Sequence, residues 1–414
     1  MVRIKPFRGM RPVPENISKV ASPPYDVLSS EEARERAKGN PLSFLHVVKP
    51  EIDLDSSIDI HDPRVYKKGA ENLKYLIEQG VLMQDEKPCF YIYKLRMGDH
   101  EQVGLVAVAS VEDYLRNKIK KHENTRLDKE EDRAKHIEAL NAQTGPVFLT
   151  YHAKKKIDDL IKKGMEKNPV YNFTGDYDVK HTLYLVDDEI LINNIIEEFS
   201  KIDALYIADG HHRSAAAARV REKRKAQNPS HSGEEEYNFF LSVIFPDTQM
   251  KILDYNRVVK DLRNMSVEEF LSKIKEKFEV KNHNKTMYHP SKMHTFGMYL
   301  DGQWYSLVTK ENSFDSSDPI KQLDVSILQD NLLFPILGIE NPRIDKRINF
   351  VGGIRGLKEL ERLVDSGEYR VAFSLYPTTI DQLMAVADAG KVMPPKSTWF
   401  EPKLASGVVI HMLD

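Results

Sequence analysis

The sequence predicts an α+β protein with mixed sheets and helices. Three observations lead to this class. Short runs rich in Val, Ile, Phe and Tyr alternate irregularly with segments of helical periodicity. Two Gly/Asp turns join neighbouring apolar runs as hairpins, which requires antiparallel strands. One buried run passes through a tight turn directly into a helix. The 414 residues are enough for two or three domains, or for one large core with insertions.

Composition excludes several classes of protein. Hydrophobic residues make up 41% and charged residues 30% of the chain, the balance of a globular protein. A net charge of -3 gives no global attraction for nucleic acid. The single cysteine, Cys89, rules out an intramolecular disulfide and a cysteine-based zinc site. No segment resembles a signal peptide or a bilayer-spanning helix, so we expect a cytoplasmic protein.

The first 80 residues predict a loop followed by two helices. Each residue before a proline is pushed out of the helical region, so residues 22–27 are expected to be extended. Ser29 or Ser30 is expected to cap a helix that starts there, and residues 63–80 form a second helix that ends at a glycine.

From residue 90 the periodicity changes to that of strands. The predicted strands cover residues 90–95, 103–111, 147–151, 182–186, 204–208, 239–245 and 371–376. Helices are predicted over residues 190–199, 214–227 and 380–389. Hairpin turns are expected at Gly98-Asp99 and at Asp301-Gly302, and residues 228–236 are expected to form an exposed loop.

These elements group into four segments. We expect an N-terminal α/β segment (1–88), a core that carries the phosphate site (89–260), an accessory α/β subdomain (261–330) and a C-terminal α/β segment that completes the core (331–414). The accessory assignment rests on an amphipathic helix and a hairpin between about residues 264 and 307.

The most informative segment is Ala208-Asp209-Gly210-His211-His212-Arg213, where a buried strand turns into a helix. The first helical turn leaves amide N–H groups without internal partners, and the positive end of the helix dipole adds to them. Such a helix start is an anion site, and the two histidines and the arginine add side-chain donors. Asp209 suits a magnesium ligand or a base. The alternatives are an ordinary helix capped by Asp209 with two solvated histidines, and a histidine metal site, although adjacent histidines seldom point at one ion.

Residues 120–126 and 132–133 form a second candidate. His122 and Glu123 could accept a proton, with Thr125 and Arg126 holding a phosphate or a carboxylate. The alternative is a solvated helical face, because residues 118–135 are highly charged.

Two proline-rich loops add further candidates. Pro23 and Pro24 could hold Tyr25 and Asp26 toward a cleft, or form an ordinary turn. In the loop from residue 393 to 403, one lysine and two hydroxyls form a reasonable anion-binding set: Lys396, Ser397 and Thr398. Trp399 and Phe400 are better explained by core packing. The glycine-rich run 352–356 lacks the Lys-Ser/Thr pair of a Walker-type loop, although Arg355 could touch an anion there.

The Asp-Gly-His-His-Arg box resembles that of ParB-like proteins, including the free-serine kinases that phosphorylate L-serine. This resemblance implies a ParB/sulfiredoxin-like nucleotide-binding core in which the box holds nucleotide phosphates at a helix N-terminus. The whole chain resembles the uncharacterised domain-of-unknown-function family 1015. That second resemblance rests on Ser22-Pro23-Pro24-Tyr25-Asp26, His122-Glu123-x-Thr125, Asp132-Arg133, Ala208 to Arg213, and Lys396-Ser397-Thr398-Trp399-Phe400-Glu401-Pro402-Lys403.

Together these observations predict an ATP- or ADP-dependent phosphotransferase that acts on a small hydroxylated metabolite, with L-serine as the favoured acceptor and Mg²⁺ as cofactor. The expected partners are a nucleotide and a small molecule, without membrane or nucleic acid; a homo-oligomer is left open. The candidate residues, by role, are: catalytic, Glu123, Asp26, Asp209 and His211; phosphate-binding, Gly210, His211, His212, Arg213, Ser214, Lys396, Ser397 and Thr398; substrate-binding, Tyr25, His122, Thr125, Arg126 and Arg133; metal, Asp209.

Two other functions remain open at this point. The same site could hydrolyse a phosphoester, such as phosphoserine or a nucleotide. The chain could also be a nucleotide-binding regulatory protein of ParB-like type without catalysis.

Overall fold

Helices and strands alternate along the whole chain, which the computed structural model describes from Met1 to Asp414. The helices are α1 (Ile17–Val20), α2 (Ser30–Ala37), α3 (Leu45–Val48), α4 (Pro63–Glu78), α5 (Val111–Leu115), α6 (Leu127–Leu140), α7 (Lys155–Gly164), α8 (Glu189–Phe199), α9 (His211–Gln227), α10 (Val267–Lys277), α11 (Asp324–Leu328), α12 (Leu357–Asp365) and α13 (Ile380–Asp388).

The strands are short, and several belong to small two-stranded pairs. They are β1 (Ile4–Lys5), β2 (Met10–Pro12), β3 (Leu82–Gln84), β4 (Phe90–Met97), β5 (His100–Ser110), β6 (Ile119–Lys120), β7 (Ala142–Gln143), β8 (Val147–Tyr151), β9 (Tyr171–Thr174), β10 (Lys180–Val186), β11 (Leu205–Asp209), β12 (Phe239–Pro246), β13 (Ile252–Leu253), β14 (Tyr255–Val259), β15 (Phe278–Asn284), β16 (Thr295–Leu300), β17 (Gln303–Thr309), β18 (Ile348–Gly352), β19 (Val371–Leu375), β20 (Trp399–Phe400) and β21 (His411–Met412).

The chain divides into two units. The first comprises residues 1–250 together with 402–414, and the second comprises residues 251–401. This grouping differs from the four predicted segments. The predicted N-terminal segment and the predicted core up to residue 250 lie in one unit, in which β1 pairs with β5. The end of the predicted C-terminal segment joins them, because β21 pairs with β7. The predicted accessory segment shares a sheet with β14, β18 and β19 of the second unit.

The first unit is built on a nine-stranded mixed sheet. Eight strands follow the order β6-β11-β8-β12-β5-β4-β10-β9, and β1 pairs with β5 off this path. The β12–β8 and β11–β6 pairs are parallel and the other pairs are antiparallel. Every residue of β8 and β12 is buried, as expected for central strands with both faces covered. The α+β class with mixed sheets is therefore confirmed.

One irregularity in this sheet bears on the site. The register between β11 and β8 shifts between Ile207 and Asp209, so that Asp209 lies opposite Phe148. A bulge of this kind changes the direction of the side chains that follow it. It lies at the last residues of β11, directly before the turn into α9.

The second unit contains a six-stranded antiparallel sheet of order β15-β17-β16-β19-β14-β18. Helix α12 covers one face of it, where Val258, Trp304 and Leu360 share a buried cluster. Strands β13 and β20 also belong to this unit, but they form a separate two-stranded antiparallel sheet.

Most predicted elements lie within a few residues of the observed ones. Ser29 caps α2 and forms a capping box with Glu32. The hairpin turns at Gly98 and Gly302 are present between antiparallel strands, and Cys89 is buried. Helix α9 begins at His211, three residues before the predicted start, because Gly210 allows the chain to turn at once. No helix in the structure is both long and apolar enough to cross a lipid bilayer.

Candidate functional site

Three consecutive residues of the box form the corner between β11 and α9. They are the end of a strand, a residue in the left-handed conformation and the start of a helix. Asp209 is the last residue of β11, Gly210 is the N-cap and His211 is the first residue of α9. No side chain caps this helix. The first amide groups of α9 therefore remain as donors at the positive end of a 17-residue helix.

Gly210 is required at this turn for two reasons. Its φ is +101°, a conformation that side chains with a Cβ atom rarely adopt. A Cβ atom here would also lie 3.3 Å from the Cα atom of Val147 and 3.3 Å from the guanidinium carbon of Arg213. The glycine thus lets the backbone lie close both to β8 and to the arginine.

Asp209 is ionised and faces two cations. Its Oδ2 atom lies 3.2 Å from Lys403 Nζ and 3.7 Å from Arg213 Nη2. Burial alone would raise the pKa of this carboxyl, but the charges of Lys403 and Arg213 hold it well below its usual range. About 32% of the side chain stays exposed, so the group can still be reached by a ligand.

Arg213 lies between two carboxylates. Its Nη1 atom donates to the carbonyl of Pro146. Its Nη2 atom lies 3.8 Å from Asp26 and 3.7 Å from Asp209, within ion-pair range but longer than a hydrogen bond. Burial opposes the charge, but the two carboxylates raise the pKa of Arg213. The Nη2 group therefore keeps donor capacity for a phosphate oxygen.

His211, His122 and Glu123 form a second cluster beside the turn. The two imidazoles meet edge to face, with ring centroids 4.4 Å apart. The backbone N–H of His122 donates to His211 Nε2 at 3.5 Å, so the ring proton of a neutral His211 is on Nδ1. Nδ1 lies 3.7 Å from the Glu123 carboxylate.

Both histidines of this cluster are buried and neutral. Burial lowers the pKa of His122 to about 4, and burial together with His122 lowers the pKa of His211 well below its usual value. The Nδ1 atom of His122 is buried without a hydrogen-bond partner. An unsatisfied buried polar atom of this kind is uncommon and is often found at functional sites.

His212 and Arg126 connect the turn to the start of α6. The backbone N–H of Arg126 donates to His212 Nε2 at 3.2 Å. The Arg126 guanidinium pairs with Asp128, and the Thr125 hydroxyl donates to Glu130. The segment from His122 to Arg126 therefore contacts the box. This differs from the alternative interpretation of the segment as a solvated helical face.

Tyr25 and Arg133 lie at a cleft next to Arg213. The Arg133 guanidinium stacks 4.2 Å from the centre of the Tyr25 ring and pairs with Asp132 at 2.5 Å. Burial raises the pKa of the Tyr25 hydroxyl to about 12. The cleft has a cavity volume of about 40 Å³, is partly open to solvent and is lined by Tyr25, Arg133, Arg213, Thr144 and Ser406, among others.

Of the other predicted phosphate-binding residues, Ser214 is turned inward and three belong to the second unit. The Ser214 hydroxyl is buried and donates to the His211 carbonyl within the helix. Lys396, Ser397 and Thr398 belong to the second unit. There, Ser397 is buried and donates to the Pro394 carbonyl.

The alternative of an ordinary capped helix does not match this corner. Asp209 lies in the strand and is paired with Lys403 instead of capping α9, and His211 is only 4% exposed instead of solvated. Lys403 is a member of the site that was not among the candidate residues. It lies 194 positions from Asp209, and its only signal in the sequence was its place in the C-terminal motif.

The donor set does not fit a resident metal ion. No group of three His, Cys, Asp or Glu side chains in the chain could hold one. The set does fit a magnesium ion that arrives with nucleotide phosphates, because Mg²⁺ is commonly bound through one or two carboxylates while phosphates and waters complete its shell. Asp209 is the carboxylate that lies at the helix start.

The family model described as "Protein of unknown function (DUF1015)" matches residues 4–326, which is more than three quarters of the chain. No curated protein matches the sequence.

Several solved structures show partial similarity. Free serine kinase in complex with AMP is 15% identical with a TM-score of 0.34, covering 71% of this chain and 86% of that chain. A conserved hypothetical protein from Pyrococcus furiosus is 17% identical with a TM-score of 0.33, covering 71% and 90%. C-terminally truncated SbnI from Staphylococcus aureus is 11% identical with a TM-score of 0.36, covering 72% and 84%. Similarities this low support no inference about function, which has to come from the site itself.

Proposed function

We propose that this chain, which belongs to the DUF1015 family of proteins of unknown function, is a phosphotransferase that uses ATP or ADP to phosphorylate a small hydroxylated metabolite. L-serine is the favoured acceptor, because the Asp209 to Arg213 box resembles that of the free-serine kinases. The proposal is supported mainly by one observation: the uncapped start of α9 combines helix amides with two cations and an accessible carboxylate.

The phosphate-binding half of the proposal follows from the charges at the turn. Helix amides bind phosphate oxygens without a counter-charge, and the dipole adds to their attraction. Arg213 Nη2 and Lys403 Nζ supply positive charge within 4 Å of Asp209. Gly210 presents no side chain that could block the approach of a phosphate to the backbone.

Glu123 is the preferred proton acceptor. A hydroxyl that attacks a phosphoryl group needs a carboxylate to take its proton. Glu123 is 43% exposed, so it lies at the accessible edge of the cluster, and His211 Nδ1 lies 3.7 Å from its carboxylate. His211 carries no charge near neutral pH, so it adds no positive charge beside Glu123. Asp26 remains the second candidate, with its carboxylate 3.8 Å from Arg213 Nη2.

The roles in the reaction can be assigned to these side chains. The α9 amides and Arg213 hold the phosphate oxygens, and Lys403 and Arg213 balance the negative charge on the transferred group. Glu123 accepts the hydroxyl proton of the acceptor. A magnesium ion bound with the nucleotide would be held by Asp209 and would neutralise the charge of the phosphates.

The neighbouring cleft is small, with a cavity volume of about 40 Å³, and it is partly open to solvent. Arg213 lines this cleft and also reaches Asp209, so a molecule held there would lie next to the phosphate site.

A thermal-shift and calorimetric experiment tests the proposal. ATP, ADP and AMP, each with and without Mg²⁺, should raise the melting temperature of the wild-type chain, because a ligand that binds only the folded state stabilises it. Arg213→Ala should bind the nucleotide about 10- to 100-fold more weakly, since a hydrogen bond to a charged group contributes about 1.5–3 kcal/mol.

Arg219→Ala is the matched control, because Arg219 lies six residues further along α9 and pairs with Glu130 and Glu131 at the surface. Normal nucleotide affinity in Arg213→Ala would refute the assigned site. Incubation of the wild-type chain with serine and nucleotide, compared with phosphoserine and water, separates transfer from hydrolysis. Tight nucleotide binding without turnover of any hydroxylated molecule would instead indicate a regulatory protein.

A further inference from the structure

The second unit contains a buried arginine without an acidic partner. Arg257 lies in β14, and only 3% of it is exposed. Its guanidinium donates to the carbonyl oxygens of Tyr255, Pro395 (3.4 Å) and Lys396 (2.9 Å). No carboxylate lies within ion-pair distance of it, so its charge is not balanced within the protein. Burial lowers the pKa of Arg257 to about 10, which leaves it charged at neutral pH.

A second cation lies beside the same tyrosine ring. Lys396 Nζ lies 5.6 Å from the centre of the Tyr255 ring, and the Arg257 Cζ atom lies 6.0 Å from it. Arg257 also lies 5.1 Å from the ring of Phe350, its partner across the sheet. Lys396 itself is exposed and has no ion-pair partner. Two cations and two aromatic rings thus form one cluster at the edge of β14.

In the loop that precedes β20, the backbone of Lys396 adopts an unfavourable conformation. Lys396 has a φ of +56°, in the left-handed region that non-glycine residues seldom adopt. Such residues persist only where the surroundings enforce them, and they are concentrated at ligand sites. Here the Lys396 carbonyl accepts a hydrogen bond from the Arg257 guanidinium, while the Lys396 ammonium lies 5.6 Å from the centre of the Tyr255 ring.

A purely structural role does not account for this cluster. Three carbonyl oxygens accept hydrogen bonds from Nη1 and Nη2 of Arg257, but they do not neutralise its charge. Buried charges are almost always paired, because desolvation is expensive for an unpaired ion. The Lys396 ammonium near the same Tyr255 ring adds a second positive charge. An anion bound at this ring would compensate the charge of Arg257.

We propose that Arg257 and Lys396 bind an oxyanion, the phosphate or carboxylate group of a small metabolite, with Tyr255 and Phe350 as its apolar wall. Arginine suits this role, since its planar guanidinium can offer paired donors to either group. The inference concerns the second unit alone and does not rest on the proposed phosphotransferase activity.

Trp399 provides a local reporter for the test. The chain has two tryptophans. Trp399 meets the Tyr255 ring edge to face at 5.1 Å, whereas Trp304 is fully buried in the core of the second unit. Inorganic phosphate and sodium acetate are titrated separately into the full chain, with chloride keeping the ionic strength constant. We expect one of the two anions to change the tryptophan emission saturably and to raise the melting temperature. The emission change should disappear in Trp399→Phe.

Two variants test the two cations, and a third variant is the control. Arg257→Met should abolish the anion response. Lys396→Asn should weaken anion binding at least tenfold, and it should fold well because asparagine tolerates a positive φ. Lys346→Asn, the same change at another exposed lysine of this unit, should bind the anion as the wild type does.

The outcomes that overturn the proposal are distinct. The proposal is wrong if neither phosphate nor acetate gives a response. It is also wrong if Lys396→Asn binds the anion with the same affinity as the wild type. A response to phosphate alone or to acetate alone identifies which oxyanion is recognised. Arg213→Ala, which alters only the first unit, should keep the Trp399 response. The nucleotide assay and the anion assay can therefore fail independently.

Discussion

At the scale of single residues, the first unit depends on charges that are compensated across long distances in the sequence. Asp209 stays ionised because Lys403 and Arg213 are near, and Arg213 is shared between Asp209 and Asp26. His211 is neutral because it is buried beside another imidazole. Asp209 is thus ionised and His211 neutral near neutral pH, and substitutions at single residues test the roles proposed for this site.

Asp209→Asn tests the metal role. The substitution removes a negative charge close to the phosphates, so ADP affinity without Mg²⁺ should stay the same or rise. The strengthening of ADP binding by Mg²⁺ should disappear, because the carboxylate ligand is lost. Calorimetric titration with and without Mg²⁺ measures both effects. Asp187→Asn, at a surface carboxylate that pairs with Lys167, should retain the Mg²⁺ effect. An equal effect of Mg²⁺ in Asp209→Asn and wild type would rule out this ligand.

Glu123→Gln tests the base. Nucleotide affinity should be unchanged, because Glu123 does not contact the α9 amides in the proposed arrangement. Phosphoryl transfer should fall by about 100-fold or more, since general base catalysis contributes roughly 10²–10⁴-fold. A kinetic assay that separates kcat from KM distinguishes the two effects. Glu131→Gln serves as the control, because that carboxylate lies at the surface of α6 and pairs with Arg219. Unchanged turnover in Glu123→Gln would transfer the role to Asp26.

At the scale of elements, the site is formed by one strand–turn–helix unit and the segments packed on it. The bulge between Ile207 and Asp209 directs the carboxylate, and Gly210 starts α9 without a cap. The buried alanines 215–218 let α9 pack closely against the elements behind it. The segment from His122 to Arg126 then contacts the first turn of α9 through two backbone amides.

Gly210→Ala should disrupt this unit. The positive φ costs about 1–3 kcal/mol of unfolding free energy for a non-glycine residue, and the added Cβ would press on Val147 and Arg213. We expect a lower melting temperature and a loss of the nucleotide response. Gly233→Ala is a matched control, since Gly233 has a φ of +92° with open space around it. It should be destabilised by its backbone alone and should keep nucleotide binding. Equal nucleotide affinity in both variants would show that the close approach at Gly210 has no role in the site.

At the scale of the whole molecule, the chain is divided between two sheets with different chemistry. The box follows a strand of the mixed sheet in the first unit, whereas Arg257 lies in the antiparallel sheet of the second unit and Lys396 in a loop of that unit. The last 13 residues return to the first unit and bring Lys403 with them. The first unit also concentrates buried histidines, which determines how its stability depends on pH.

The first unit should lose stability in mild acid. Burial lowers the pKa of His122, His136 and His181 to about 4 each, against 6.5 in the unfolded chain. Between these values the unfolded chain binds more protons, so the free energy of unfolding falls as the pH falls from 6.5 to 4. The contribution is complete above pH 6.5 and amounts to as much as about 3 kcal/mol per histidine. Urea unfolding at several pH values across this range measures the slope.

Two comparisons sharpen this prediction. In His136→Gln, proton uptake on unfolding near pH 5 should fall by roughly one proton. His46 acts in the opposite direction, because its hydrogen bond to Asp53 raises its pKa, so its contribution is complete below pH 6.5 and is lost as the pH rises through the folded value. A flat profile between pH 6.5 and 4 would contradict the assignment of neutral buried histidines.

The sequence by itself determined the features that depend on local interactions. The Ser29 capping box, the hairpin at Gly98 and the turn at Gly210 each depend on residues within a few positions of one another, and local geometry sets them. The α+β class followed from the same short-range periodicities. The proposal that the box binds anions rests on the same local geometry, because a helix start carries its donors in its own backbone.

The tertiary structure alone decided which distant groups meet. Lys403 pairs with Asp209 across 194 positions, and Glu123, Asp26 and the box come from three separate segments. No local pattern encodes these partners, because strand order and loop closure bring them together and both are set by burial of the whole sheet. Charge pairing and protonation depend on those distances, so they are properties of the fold and cannot be derived from the segment.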